Sequence, residues 1–343
     1  MKILLVTEDN HEAHFLSELS SYLKLNSATY KSLKSITYEH RSEFHKVIDS
    51  FEPDIIIPVG TTGTFLRILL LLDDISIPVV GASPFSQTFI TPITTQNYSE
   101  MLQNILKGNF EILERCRVVG RTNGKKTPPA LNEISIFPAQ SATLMRYSLL
   151  VDDELIWRDN ADGLIISTPT GSSGYALSAG GPMILGEPGV FLVVPVNSLN
   201  KTTVPIIVRN DSTIKLENIT SKSHIDIIID GQLRLHASSE IIITKSDTPA
   251  KIISFTKSLE VEKRLKTRTS AAEVDLSELP PTAKFIYKLL LYEGEMTQKE
   301  IAEVSSIPSR TIRNALNILL EKGLITKKVN VRDTRQFVYH VAK

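Results

Sequence analysis

Asp162-Gly-Leu-Ile-Ile-Ser-Thr-Pro-Thr-Gly-Ser-Ser-Gly-Tyr-Ala-Leu-Ser-Ala-Gly-Gly-Pro182 is the most informative stretch of this 343-residue chain. An apolar strand runs into Ser167-Thr168-Pro169-Thr170-Gly171-Ser172-Ser173-Gly174-Tyr175, a hydroxyl- and glycine-rich loop that ends in an aromatic ring. Such a loop offers neutral donors to a phosphate or a ribose and a ring to pack on a base or sugar. An ordinary hydroxyl-rich surface loop rarely sets this many glycines and prolines so close to a second turn, Ser178-Ala-Gly-Gly-Pro182.

Upstream, Lys2 to Thr7 reads as a buried parallel strand and His11 to Leu25 as the following helix. Asp54 to Val59 is a second strand, followed by a Gly/Thr turn and a helix through Phe65 to Leu72, and Ile77 to Gly81 is a third short strand. Strand, turn, helix, strand is the pattern of a doubly wound α/β layer, whose ligands sit at the carboxyl ends of its strands. After about Cys116 the texture changes to short β-like runs: Glu133 to Phe137, Ala142 to Val151, Gly163 to Thr168, Val190 to Val194, Thr213 to Leu216, Ile225 to Ile229, Glu240 to Thr244 and Lys251 to Phe255. These predict a β-rich second domain.

Two shorter motifs accompany the long one. Gly60-Thr61-Thr62-Gly63-Thr64 lies between a strand and a helix, where backbone N–H groups and the helix N-terminus favour an anion and threonine hydroxyls add donors. A purely structural turn or helix cap has the same look. Asn132-Glu133 opens a strand; an adjacent amide and carboxylate can grip a sugar diol or a base edge, and equally can belong to a turn.

Taken together, these blocks resemble the NAD kinase family. There an Asp-Gly strand leads to a Thr-Pro-Thr-Gly-Ser-Thr-Ala-Tyr loop, an Asn-Glu pair precedes it, and a later Asp-Gly-Gln turn follows, as Asp230-Gly231-Gln232 does here. The resemblance covers roughly residues 1 to 260 and implies an α/β domain followed by a β-rich domain with dinucleotide between them. It also implies a homodimer or homotetramer, because family sites border a neighbouring subunit. Carried over, Asn132 and Glu133 hold the adenosine part of NAD, and Asp162, Thr168, Ser172, Ser173, Gly174 and Tyr175 line the rest of the pocket, with Gly60, Thr61, Thr62, Gly63 and Thr64 as the phosphate-side loop.

One departure outweighs the matches. The family's Gly-Gly-Asp-Gly-Thr carries the carboxylate proposed as base or metal-associated acid, and Thr62 stands in its place. A threonine does not accept a ribose hydroxyl proton at neutral pH and is a poor Mg²⁺ ligand, and loss of a general base typically costs roughly 10²- to 10⁴-fold. Thr61 also adds a side chain where the family has glycine, Ser173-Gly174 replaces Thr-Ala, and Asn197 stands where the family often has histidine. Asp54, Asp73 and Asp74 are expected to lie too far from the strand's carboxyl end to substitute. No catalytic residue and no resident metal are therefore assigned.

The C-terminal segment reads differently. Phe285, Ile286, Leu289 and Leu290 stand at helical spacing; Thr297 with Glu300 forms a capping box for a second short helix. Ser309 is expected to cap a third helix through Glu321, with Ile312, Leu316, Leu319 and Leu320 inward, and Gly323 ends it. Leu324 to Lys328 and Gln336 to Val341 are two strands around a basic turn. The segment resembles winged helix-turn-helix regulators, with Ser309, Arg310, Thr311, Arg313 and Asn314 placed to read a major groove and Lys327, Lys328, Arg332 and Arg335 on the wing. A winged helix used for dimerisation or protein contact is the other reading.

Charge agrees. Formal net charge is zero, yet Thr282 to Lys343 holds 11 Lys and Arg against 6 Asp and Glu, leaving 27 against 32 on the rest. A basic tail on an acidic body points to a polyanion partner, here double-stranded DNA. The lone cysteine, Cys116, excludes an intrachain disulfide and fits the cytoplasm; the short apolar start lacks the length of a signal peptide, and no stretch is apolar enough for a membrane. The expected fold class is an NAD-kinase-like α/β domain (1–115) plus β-rich domain (116–260), a linker (261–281) and a winged helix-turn-helix domain (282–343). The expected function is a DNA-binding transcription regulator whose NAD-kinase-like domain, expected to be catalytically inactive, senses NAD, NADP or a related adenine nucleotide such as ADP-ribose. The alternative is an active NAD kinase, using ATP and Mg²⁺, with an appended DNA-binding domain.

Overall fold

A computed structural model describes residues 1–8, 12–34, 38–85, 87–237, 240–255, 279–294, 296–305, 307–329 and 337–341. The chain divides into two compact units, Met1–Ser258 and Leu259–Lys343. Most of the expected linker, 261–278, and Arg332 and Arg335 of the expected wing lie outside the described residues.

The first unit opens with β1 (Lys2–Thr7), α1 (Ala13–Leu25), β2 (Thr29–Leu33), α2 (Arg41–Phe51), β3 (Ile55–Val59), α3 (Thr62–Leu72), β4 (Ala82–Ser83), β5 (Ile93–Thr94) and α4 (Tyr98–Lys107). Its five strands are parallel in the order β2-β1-β3-β4-β5. Alternation along β1 supplies both faces: Leu4 and Val6 pack with Phe44 and Ile48 of α2 and Phe65 and Leu69 of α3, whereas Ile3 and Leu5 pack with Phe15 and Leu19 of α1 and Leu102 of α4. Chain order reverses between β1 and β3, which makes the crevice beyond their carboxyl ends the position where such sheets bind ligands. The expected strand over 77–81 is reduced to single bridges from Val79 to Ile56 and Ile252.

β6 (Glu111–Arg115), β7 (Val118–Thr122), β8 (Lys125–Lys126), β9 (Glu133–Pro138), β10 (Met145–Val151), β11 (Glu154–Ala161), β12 (Gly163–Ser167), the short helix α5 (Tyr175–Ser178), β13 (Val190–Val196), β14 (Ile206–Arg209), β15 (Ile214–Ser221), β16 (Ile225–Ile229), β17 (Leu233–Ala237), β18 (Ile241–Lys245) and β19 (Ala250–Ser254) follow. They form two six-stranded sheets, β11-β10-β15-β18-β7-β8 and β14-β13-β12-β9-β16-β17, whose inner faces share one core around Tyr147, Leu149, Ile166, Phe191, Ile227 and Ile243. β19 does not join them. It pairs with β6, and Ile252 bridges to Val79, so the strand read from Lys251 to Phe255 returns to the α/β layer.

The second unit contains α6 (Pro281–Glu293), β20 (Met296–Thr297), α7 (Gln298–Ser305), α8 (Ser309–Glu321), β21 (Ile325–Val329) and β22 (Phe337–Val341). The three strands pair in the order β20-β22-β21, and Ile286, Leu290, Ile301, Ile312, Leu316 and Leu319 form its core. The capping box is present: Glu300 N–H donates to Thr297 Oγ1 at 3.2 Å and Thr297 N–H to Glu300 Oε2 at 2.6 Å. Ser309 is the first residue of α8 and Pro308 its cap, which corrects the sequence reading by one position.

Candidate functional site

Three segments remote in sequence meet at the carboxyl end of β12. Asp230, fully buried at the β16–β17 turn, accepts hydrogen bonds from the backbone N–H groups of Leu131 (2.8 Å), Asn132 (2.7 Å) and Glu133 (3.0 Å). Thr168 Oγ1 donates to Leu131 O at 2.6 Å and Ser167 Oγ to Asn132 O at 3.2 Å. Gly171 lies so close to Asn132 that a Cβ there would sit 2.1 Å from the Asn132 carbonyl oxygen. The Asn132-Glu133 pair, the long loop and the Asp-Gly-Gln turn, read separately from sequence, are thus one assembly.

The electrostatics follow from burial. Desolvation pushes the Glu133 carboxyl up to about 8, and neighbouring Asp230 acts in the same direction. Asp230 is pushed to about 6 by burial, against the opposing pull of its three backbone donors and Arg117. Glu133 Oε2 is buried and has no hydrogen-bond partner among the described residues. A buried, unpartnered acceptor is costly unless a ligand donor completes it.

Beside this frame is a cavity of about 470 Å³, lined by Glu133, Phe137, Asp162, Tyr175, Asn197 and Arg234 among others. Tyr175 stacks on Phe137 with centroids 6.0 Å apart, and Asn197 Nδ2 donates to Asp162 Oδ2 at 2.8 Å. Of the expected pocket residues, Glu133, Asp162 and Tyr175 line the cavity, whereas the Thr168 and Ser172 hydroxyls are buried and used by the backbone, Ser172 Oγ donating to Pro169 O at 2.8 Å. Those two hold the loop's shape and are not presented to the cavity. Ser173 and Gly174 lie on the loop between them and Tyr175, with Gly174 exposed and its N–H bonded to Gly171 O at 2.8 Å.

The Gly60–Thr64 loop forms the N-terminus of α3. Thr61 caps the helix and Thr64 returns the bond, so both hydroxyls serve the turn, while Thr62 is exposed at the first helical position. Gly60 has φ 154°, and a Cβ there would meet the Thr64 hydroxyl at 2.6 Å. A Cβ on Gly63 would touch Gln232, so the loop approaches the Asp-Gly-Gln turn. Arg67 of α3 joins the two, donating to Gln232 Oε1 at 2.8 Å and pairing with Glu8 at 2.6 Å.

Glu8 was not singled out by its sequence context. Thr7 is in register with Val59, which puts Glu8 opposite Gly60, and Thr64 Oγ1 donates to Glu8 Oε2 at 3.2 Å. Burial raises its carboxyl above the usual range, with Arg67 and Thr64 pulling it back. An acid directly after the first strand of a β1/β3 switch point was the available signal. The three aspartates considered as substitutes each have partners of their own. Asp73 pairs with Arg41, Asp74 with Lys126 at 3.0 Å, and Asp54 accepts from the Lys2 backbone N–H at 2.6 Å.

In the second unit, Ser309, Arg310, Thr311, Arg313 and Asn314 are all exposed, and Ile312, Ala315 and Leu316 between them are buried, so α8 presents one polar face. Lys327 and Lys328 are exposed on β21, with Lys327 Nζ 4.8 Å from the Phe337 ring centroid.

The family model described as "ATP-NAD kinase C-terminal domain" matches residues 131–255, and that described as "Sugar-specific transcriptional regulator TrmB" matches residues 283–342. The NAD kinase of Pyrococcus furiosus is 34% identical over 239 residues, covering 68% of this chain and 86% of the relative. The NAD kinase of Pyrococcus abyssi is 32% identical over 265 residues, covering 75% and 94%. A crystal structure of an NAD kinase from Archaeoglobus fulgidus in complex with ATP superposes with a TM-score of 0.64 at 25% identity, over 79% of this chain and 98% of that one. Yeast NADH kinase complexed with NADH shares the fold, with a TM-score of 0.67 at 17% identity over 80% and 88% of the two chains.

Proposed function

The chain belongs to the NAD kinase family, and on that footing we propose that it is a nucleotide-responsive DNA-binding regulator rather than a kinase. One observation carries this reading: the frame around Glu133 is complete and holds an unpartnered buried acceptor, while the loop beside it offers Thr62 in place of an acid. Glu133 receives hydroxyls of an adenosine ribose, Tyr175 and Phe137 pack on a ring, and Asp162 with Asn197 closes the far side. NAD, NADP and ADP-ribose all have the required adenosine.

The residues around Gly60–Thr64 do not suit ATP with Mg²⁺. A helix N-terminus is a seat for phosphate, but the Arg67 guanidinium beside it is taken up by Glu8 and by Gln232. The same carboxylate is tied to Arg67 and Thr64, which leaves it poorly placed to hold a hydrated Mg²⁺. The loop therefore supports no phosphoryl-transfer step. The second reading, an active NAD kinase, draws on the relatives' names and on Glu8 itself, the one acid found at the loop among the described residues.

The second unit is proposed to be a winged helix-turn-helix. Its polar α8 face supports entry into a major groove, and the paired strands β21 and β22 act as the wing. As a functional division, 1–115 and 116–260 form the sensor, 261–281 the linker and 282–343 the DNA reader, assembled as a homodimer or homotetramer in the cytoplasm. Among the described residues no helix is long and apolar enough to cross a membrane. Fluorescence anisotropy of the full chain on labelled duplex DNA tests this reading. Binding that weakens steeply with salt and shifts at least roughly fivefold on adding NAD, NADP or ADP-ribose is expected. Absence of DNA binding, or an affinity blind to all three nucleotides, would overturn it.

A further inference from the structure

The hairpin that delivers Asp230 and Gln232 to the nucleotide frame carries a second polar group at its opposite end. Asp226 of β16 faces His236 of β17 as a cross-strand pair, and His224 stands just before β16. Asp226 is 1% exposed, yet both of its oxygens are engaged at the surface. Oδ2 accepts from Arg234 at 2.9 Å; Oδ1 faces His236 Nδ1 at 2.8 Å and His224 Nε2 at 3.6 Å. The two exposed imidazoles meet edge to face with centroids 4.4 Å apart, and one ligand atom from each of the three residues lies within 4.8 Å of the others.

We propose that His224, Asp226 and His236 bind a divalent transition-metal ion of the zinc type. Two imidazole nitrogens and one carboxylate oxygen are donors that zinc accepts and that Mg²⁺ and Ca²⁺, which prefer all-oxygen sets, do not favour. Ligand atoms on one tetrahedral zinc, each about 2.0–2.1 Å from it, stand roughly 3.4 Å apart. The spacings to Asp226 Oδ1, 2.8 Å and 3.6 Å, bracket that value, and both rings are exposed. Arg234 on the far carboxylate oxygen supplies the supporting contact that metal-bound carboxylates require, holding Oδ1 toward the imidazoles. The second imidazole, His224, stands 3.6 Å from the same oxygen and packs edge to face on His236, so two ring nitrogens and one carboxylate oxygen converge on one point. A fourth position is left to water.

The ion's place gives it a consequence. β17 is the edge strand of its sheet, and the metal ties it to the start of β16. The turn between these strands contributes Asp230 and Gln232, and Arg234 lines the 470 Å³ cavity, so the metal stiffens one wall of that cavity. This site does not depend on which nucleotide the cavity takes, or on whether it takes one.

The test is calorimetric titration of the chelator-stripped full chain with ZnCl₂ and CoCl₂ at about pH 7.5, with melting followed in parallel. One ion per chain and a melting temperature raised by Zn²⁺ but not by Mg²⁺ are expected. His224→Ala/His236→Ala takes one partner from buried Asp226, which keeps Arg234, so without metal it should fold and melt somewhat below the parent. It should lose the Zn²⁺ shift and bind more weakly by more than the roughly 10- to 100-fold that loss of a supporting group costs. Undiminished zinc binding in that variant, no stoichiometric binding by the parent, or an equal response to Mg²⁺ would each overturn the proposal.

Discussion

At position 62 the proposed loss of kinase chemistry can be tested on one side chain. Thr62 is exposed at the first position of α3, where a carboxylate meets the positive end of the helix. Thr62→Asp is therefore expected to fold, with α3 stabilised by about 0.3–1 kcal/mol. It should raise NADP formation from NAD and Mg-ATP, and the double variant Thr62→Asp/Glu8→Gln should exceed it, because Glu8 otherwise stays beside the phosphate seat. A coupled NADP assay ranks the three proteins. Glu133 gives a separate prediction. Its folded-state carboxyl, near 8, lies above its ordinary value of 4.5, so the folded chain keeps a proton that the unfolded chain has lost. The stability it contributes is full below pH 4.5 and is lost as pH rises toward 8. Glu133→Gln, which cannot ionise, should melt above the parent at about pH 8.5, and the gap should close toward about pH 5. Sequence pointed to Glu133 through its motif. It missed Glu8, whose role depends on the Thr7–Val59 register that brings the end of β1 beside Gly60.

Among the elements, the loop after β12 makes the sharpest demand. Gly171→Ala would place a methyl group 2.1 Å from the Asn132 carbonyl oxygen, and neither backbone can yield without breaking the bonds that Asp230 makes. Its expected cost is at or above the roughly 1–3 kcal/mol usual for overpacking, read as a lowered urea midpoint together with lost nucleotide affinity. On α8, Arg310→Ala should weaken specific DNA binding by about 1–3 kcal/mol, whereas Lys327→Ala should reduce the salt dependence by about one ion with little change in sequence preference. Elements with continuous apolar runs, such as β1, β3 and β12, were legible in the sequence because burial on both faces writes itself as an unbroken run. α2 buries only Phe44 and Ile48 among polar residues and β2 is a mostly exposed edge strand, so their sequences carry little signal, whereas β17, Leu233-Arg-Leu-His-Ala237, alternates cleanly but over five residues with no buried side chain. β19 was visible as a strand, but its return to the α/β layer is a long-range pairing with β6 that no local pattern encodes.

For the whole molecule, the sequence already separates an acidic NAD-kinase-like body from a basic tail, and the structure divides into Met1–Ser258 and Leu259–Lys343. A sensor requires the nucleotide to bind two protein states with different affinity, and linkage makes the effect reciprocal: whatever factor NAD imposes on DNA affinity, DNA imposes on NAD affinity. That symmetry separates regulation from two independent bindings on one chain. Whether the chain senses a nucleotide without turning it over is decided by titrating the full-length protein with NAD, NADP and ADP-ribose while following NADP formation from NAD and Mg-ATP on the same sample. Saturable binding of at least one of them, abolished by Glu133→Ala, is expected, with no NADP formed above the protein-free rate. Steady NADP production would refute the sensor and identify this chain as a kinase that works without an acid at position 62.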